Sequence, residues 1–167
     1  MIIFESARLI IRELEETDLE NFFRLNGDEE IMRYIRKPRT REECEALIKE
    51  TVEGYKINPG IGRFAVIEKS TGNYIGSFAL IPLGNTNDFH LGYAILKEYQ
   101  GKGFATEITK AAIPFVFNTI QKDLIKAITI SANIPSKNVL LKAGFIQNGT
   151  MIHEGDEVIV FELYRNK

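Results

Sequence analysis

Two short stretches carry residue types at spacings with chemical use. In "LKEYQGKGFATE", Leu96 to Glu107, Gly101 and Gly103 stand one residue apart between an apolar strand-like run and a helix-like one. Backbone amides at a helix start lack internal partners and lie at the positive end of the helix dipole, so a loop feeding a helix suits a phosphate or pyrophosphate. Glycines let the backbone approach a bulky anion and take dihedrals other residues avoid. In "DFHLGYAIL", alternation sets Phe89, Leu91, Tyr93 and Ile95 on one strand face. His90, Gly92 and Ala94 share the other, where two small side chains leave room beside an imidazole. With an ordinary pKa of about 6.5, His90 can take a proton at neutral pH, directly or through a water. A plain strand histidine and a glycine turn with no ligand are the competing readings.

Other phosphate loops fit less well. A dinucleotide fingerprint needs a third glycine where Thr106 stands, and the acidic Asp123 falls before the next strand instead of at its end. No G-K-S/T follows at the spacing of a Walker A loop. The lone Cys44 has no glycine loop or histidine motif beside it to make it a nucleophile, and it excludes an internal disulfide.

The elements that must position these residues follow from periodicity. "ARLIIREL" alternates as an opening strand, and Thr17 with Glu20 reads as a capping box for a helix with a stripe of Leu19, Phe22, Phe23 and Leu25. Asn26 and Gly27 end it. A second box, Thr40 with Glu43, opens a helix through Leu47, Ile48, Val52 and Tyr55 that "NPG" stops. "RFAVIEK", "NYIGSFALIPL" and "DFHLGYAIL" are antiparallel strands joined by short turns. A helix over 104–119, the strand "LIKAITI", a short helix in "PSKNVLLKAG" capped by Gly144, and a closing hairpin around "EGDE" complete an α+β pattern about one mixed sheet. Between the first two helices lie Arg33, Arg36, Arg39 and Arg41, which suit either an acidic group on a substrate or, the preferred reading, a solvated basic stretch. His153 and Glu154 read as turn residues.

The chain's 167 residues, 44% hydrophobic and 26% charged, suit one globular domain, 1–167. A net charge of -2 gives no positive field for nucleic acid. "MIIFESARLI" lacks the basic start of a signal peptide, and no apolar run approaches the roughly 20 residues of a membrane span, so a cytoplasmic protein with no membrane partner is expected.

Gln100, Gly103 and Ala105 fit, in order, the Q/R-x-x-G-x-G/A pattern of acetyltransferase coenzyme A loops. "SARLIIRELEETD", "YIGSFAL", "LGYAILKEYQGKGFATE" and "NIPSKNVLLKAGF" match further segments in family order. The chain therefore resembles the GNAT superfamily of N-acetyltransferases, in its RimJ/RimL-like branch. The resemblance implies a GNAT-like, mostly antiparallel central sheet flanked by helices and splayed between its central strands to admit coenzyme A. It implies a bulge near the end of the strand over 88–96, backbone contacts at Ile95 and Leu96, and a pyrophosphate cradle of Gln100, Gly101, Lys102, Gly103, Phe104, Ala105 and Thr106. Acetyl-CoA is the implied cosubstrate and no metal is required.

His90 stands where several superfamily members carry a glutamate base. An oxyanion donor is expected from a backbone N–H near Ile95 or Leu96. Leu140 occupies the position of the tyrosine that many members use to protonate the thiolate, and Leu141 replaces a glutamate common in the branch. The RimL-like substitute is Ser136 as donor to the sulfur, with Asn133 holding the cofactor. The implied activity is direct acetyl transfer to a primary amine, a protein N-terminus such as a ribosomal protein or a small molecule. The alternative is a catalytically silent acyl-CoA-binding module. A homodimer is compatible with the superfamily.

Overall fold

The computed structural model describes residues 1–166. Its strands are β1 (Ile2–Glu5), β2 (Leu9–Glu13), β3 (Gly62–Glu68), β4 (Tyr74–Pro82), β5 (Phe89–Ile95), β6 (Leu124–Thr129), β7 (Ile146–His153) and β8 (Asp156–Tyr164). They form one sheet in the order β1-β2-β3-β4-β5-β6-β8-β7. Every neighbouring pair is antiparallel except β5 and β6, which run parallel. The expected mixed, mostly antiparallel α+β architecture is the one found.

The helices are α1 (Leu19–Asn26), the single turn α2 (Glu29–Met32), α3 (Arg41–Ile57), α4 (Phe104–Pro114, continued by a wider turn to Thr119) and α5 (Ile134–Lys142). No helix among the described residues is long and apolar enough to cross a membrane. On one face of the sheet, α4 and α5 bury Phe104, Ile108, Ala112 and Leu140 against Phe78, Leu80, Leu91 and Ile95. On the other, α1 and α3 pack Phe22, Leu25, Cys44 and Ile48 over Ala65, Tyr74 and Leu96. His90, Gly92 and Ala94 face the α1 and α3 side, as the alternation of β5 requires.

The Thr40–Glu43 capping box is formed, with Thr40 Oγ1 accepting from the Glu43 amide at 3.2 Å and Glu43 accepting from the Thr40 amide at 2.8 Å. The Thr17–Glu20 box is not. Glu15 and Asp18 make the reciprocal pair instead, because Arg12 grips both Asp18 oxygens at 2.8 Å and Asp18 accepts the Glu15 amide at 2.9 Å. Strand β1 and the turn α2 are too short to leave a period in the sequence.

Candidate active site

The parallel pairing of β5 and β6 covers two registers, His90 with Lys126 and Leu91 with Ala127. Beyond them the strands part. The expected bulge in β5 is absent: its register with β4 runs unbroken from Phe89 to Ile95, and Leu96 extends it by donating to the Ile75 carbonyl at 2.9 Å. Antiparallel pairs alternate, so the residues between those that bond β4 turn their N–H groups the other way. Tyr93 and Ile95 therefore aim their amides into the gap. Leu96 gives up its expected role as a backbone donor, since its N–H is taken and its carbonyl accepts the Tyr99 amide at 2.9 Å. Divergence of two strands opens the space that the bulge was expected to open.

The glycine loop follows directly. Gly101 and Gly103 sit at φ of +73° and +82°, where a side chain would be strained. The backbone amides of Gly101, Lys102, Gly103, Phe104, Ala105 and Thr106 have no acceptor among the described residues, and the first bond of α4 runs from Glu107 to the Gly103 carbonyl at 3.1 Å. Six consecutive free donors at a helix start fit a pyrophosphate.

Gln100 serves this loop differently from expectation. Its side-chain amide donates to the Ile95 carbonyl at 2.9 Å, tying the loop to the strand end instead of presenting itself to a ligand. Arg8, which no spacing in the sequence singles out, donates twice to the Lys102 carbonyl at 3.1 Å, stacks on Phe104 at 4.3 Å and pairs with Glu107 at 2.7 Å. Burial works to raise the Glu107 pKa, but hydrogen bonds from Ser6 and from the Arg8 amide and side chain outweigh it and hold the carboxyl ionised. The Lys102 ammonium lies 5.1 Å over the Tyr99 ring.

Where the gap meets α5, Asn133 caps the helix, its Oδ1 accepting the Ser136 amide at 3.2 Å. That cap frees the Ser136 hydroxyl, which accepts from the Tyr93 hydroxyl at 3.4 Å. Burial raises the Tyr93 pKa, against the bond to Ser136, so the phenol keeps its proton at neutral pH. Leu140, at the position of the superfamily's tyrosine, is 1% exposed in the core. A phenol thus reaches Ser136 from the strand instead of from the helix, which the spacing rule could not reveal.

One cleft of about 1620 Å³ passes through the gap, from the glycine loop and Ser136 on the α4–α5 side past His90 to Tyr34, Arg36, Arg39 and Arg63 on the other. Burial, then His153, Arg63 and Arg36, depress the His90 pKa to about 4. Its Nδ1 is buried without a hydrogen-bond partner. The β7–β8 turn brings the His153 ring 5.8 Å from that of His90, so His153 lies beside the candidate base although its sequence context shows only a turn. The basic stretch divides: Arg33 and Arg41 are exposed, the latter pairing with Glu20, whereas Arg36 and Arg39 are half-buried in the cleft. Phe78 is core, and Cys44, on α3, is buried with α1 side chains and does not line the cleft.

The model of the acetyltransferase (GNAT) domain family matches residues 8–146. An uncharacterized N-acetyltransferase of Bacillus subtilis, YoaA, is 27% identical over 152 residues, covering 89% of this chain and 85% of the relative. Spermidine N(1)-acetyltransferase of Vibrio cholerae is 27% identical over 154 residues, 89% of this chain and 85% of that protein. The crystal structure of a GNAT-family acetyltransferase from Bacillus anthracis superposes with a TM-score of 0.83 at 23% identity, covering 98% of both chains. With the parted strands and the free amides of the glycine loop, these matches make the chain a member of the GNAT family and an acetyl-CoA-dependent acetyltransferase.

Proposed function

We propose that the protein moves the acetyl group of acetyl-CoA directly to a primary amine, a protein N-terminus or a small amine, within a ternary complex. The observation that carries this reading is that the amides facing the strand gap, the free amides of the glycine loop and the His90 side chain line one cleft. Acetyl-CoA supplies a thioester carbonyl; the chain's own groups do the rest. His90 accepts the amine's proton, directly or through a water, as the C–N bond forms. The Ile95 and Tyr93 amides face the charge that develops on the carbonyl oxygen. Ser136, backed by the Tyr93 hydroxyl that donates to it, passes a proton to the sulfur as the C–S bond breaks, and the proton His90 took from the amine returns through solvent to restore the Ser136–Tyr93 pair. Gly101 to Thr106 hold the pyrophosphate, and the Asn133 side-chain amide remains available to the cofactor.

The Asn133–Ser136 arrangement supports the RimJ/RimL-like branch, and the spermidine-acetylating relative supports a small-amine acceptor. A reducing, cytoplasmic setting belongs to the same proposal, supported by the one buried thiol. Calorimetric titration with acetyl-CoA, with NAD and ATP as controls, followed by thiol-release assays over an amine panel, tests it. Selective binding with turnover is expected. Binding without turnover on any amine makes the chain an acyl-CoA-binding module, and absence of binding ends the transferase reading.

A further inference from the structure

We infer that Arg36, Arg39 and Arg63 form a subsite for an oxyanion, carboxylate or phosphate, carried by the acceptor, which is therefore an acidic or zwitterionic amine and not a polyamine. The inference rests on the transferase reading, because it places this subsite on the acceptor side of the same cleft.

Five arginines elsewhere have acidic partners, Arg8 with Glu107, Arg12 with Asp18, Arg24 with Glu98, Arg41 with Glu20 and, at 3.5 Å, Arg165 with Asp123, while the exposed Arg33 lies over the Tyr34 ring at 5.1 Å. The side chains of Arg36, Arg39 and Arg63 form no ion pair and no hydrogen bond among the described residues, and Arg39 Nε is buried with no acceptor. They are nevertheless half-buried and close enough to repel one another. Burial, then Arg63 and Arg39, bring the Arg36 pKa down to about 10. Buried guanidinium groups without acceptors are unfavourable, and the arrangement makes sense when an oxyanion supplies the acceptors.

Position fits that use. Arg63 stands in register with Ala79, and Ala79 with Gly92, so the three form one cross-strand row on the His90 face. Adjacent strands lie about 4.8 Å apart, which places Arg63 roughly 10 Å from Gly92 across a floor made of small residues. An amine above Gly92 reaches His90 while its anionic group meets the guanidinium groups. Tyr55 fixes this end of β3 by donating to the Arg63 carbonyl and accepting the Leu14 amide at 3.0 Å.

Carboxylates that would recognise a polyamine are engaged or peripheral. Glu30 holds Lys97 at 2.7 Å, and Glu43 caps Thr40 at 2.8 Å. Glu154 and Asp156 line the cleft from the exposed β7–β8 turn, but they form no ion pair with the arginines, and Glu154 and Glu50 act on them only at a distance.

The test follows the arginine Nε–H resonances of the full chain during titration with succinate, inorganic phosphate and, as control, chloride. Saturable shifts confined to Arg36, Arg39 and Arg63 are expected with at least one oxyanion. They should weaken by about tenfold or more in R36Q and R63Q, each of which loses a charge-assisted contact. The stronger of succinate and phosphate identifies the oxyanion. No shift, or equal shifts at Arg33 and Arg41, overturns the subsite. R36Q and R63Q should melt at or above the wild-type temperature without anion, since each removes an unpaired cation; a clear loss of stability makes the arginines structural and overturns it too. In thiol-release assays, amino acids and acidic dipeptides should exceed their carboxamides in kcat/KM, and R63Q should erase the difference, whereas spermidine as the best acceptor contradicts the subsite. Loss of acetyl-CoA binding in calorimetry sinks the transferase reading alone and leaves the resonance result standing.

Discussion

His90 combines availability with weak basicity. Its pKa of about 4 leaves the imidazole neutral across the physiological range, and burial, the main cause, also keeps its Nδ1 out of water. The acid limb of kcat/KM should therefore fall near pH 4 for the free enzyme, well below the ordinary histidine value, while the rise at higher pH follows deprotonation of the acceptor amine. His90→Ala should lower kcat by about 10²–10⁴ with acetyl-CoA affinity unchanged; undiminished turnover would leave the amine to lose its proton without this side chain. The same burial makes a stability prediction. Between about pH 6.5 and 4 the unfolded chain binds the extra proton and the folded chain does not, so folding weakens as pH falls through that window, by at most roughly 3 kcal/mol. Above pH 6.5 the group is neutral in both states and contributes nothing. Denaturant titrations of wild type and His90→Ala at pH 7 and pH 4.5 should show the variant losing less stability between the two. Tyr93→Phe isolates the second proton path: it removes the donor to Ser136 while keeping the ring, and should reduce kcat about 10-fold without moving the KM for acetyl-CoA.

The elements that set these residues depend on close backbone contacts. Gly76 in β4 faces Ile95, and a Cβ there would come within 2.2 Å of the Ala94 carbonyl oxygen. That oxygen belongs to the strand end that borders the gap. Gly76→Ala must push β5 away from β4, which should destabilise the fold by about 1–3 kcal/mol. Acetyl-CoA affinity should fall as well, because the Ile95 amide and the Gln100 tie to its carbonyl both move. Circular-dichroism melts and calorimetry on the same variant check both effects, and a stable variant with unchanged affinity would mean that β5 is not held by this contact.

Sequence periodicity showed the strands of the central meander, α3 with its Thr40 cap, α5 and the closing hairpin, because these have enough residues for alternation or helical spacing to register. It missed β1 and α2, which do not. It misassigned the first capping box because Asp18 is claimed by Arg12, a contact from a neighbouring strand that no local pattern encodes. The site divided along the same line. The glycine loop and His90 are local patterns and could be read. Arg63, His153, Arg8 and Tyr93 reach the cleft or its loop by strand register and hairpin return, and those are long-range facts.

At the scale of the whole molecule, the sheet is two plates joined along a short seam. β1 to β5 form one plate and β6, β8 and β7 the other, and only two registers of parallel pairing connect them. The shared core under α4 and α5, which includes Leu91 and Ile95 from one plate and Ile125 and Phe161 from the other, keeps them together. Past Leu91 and Ala127 the seam is open, and the amides of Tyr93 and Ile95 face the opening. A pantetheine arm pairing with that edge would act as the missing strand, so cofactor binding and cohesion of the plates should be coupled. At a hundredfold excess over its dissociation constant, a ligand bound only by the folded state adds about 2.7 kcal/mol. For a chain of this length that corresponds to a rise in Tm of roughly 5–10 °C. Acetyl-CoA should give that rise and NAD should not. Hydrogen exchange then locates its source. Protection gained at Tyr93 and Ile95, together with Gly101 to Thr106, is the result expected of a ligand that closes the seam. A rise in Tm with protection at the glycine loop alone would mean that the phosphates dock while the arm stays outside the sheet, and the Ile95 and Tyr93 amides would then have no part in holding the arm or the thioester oxygen.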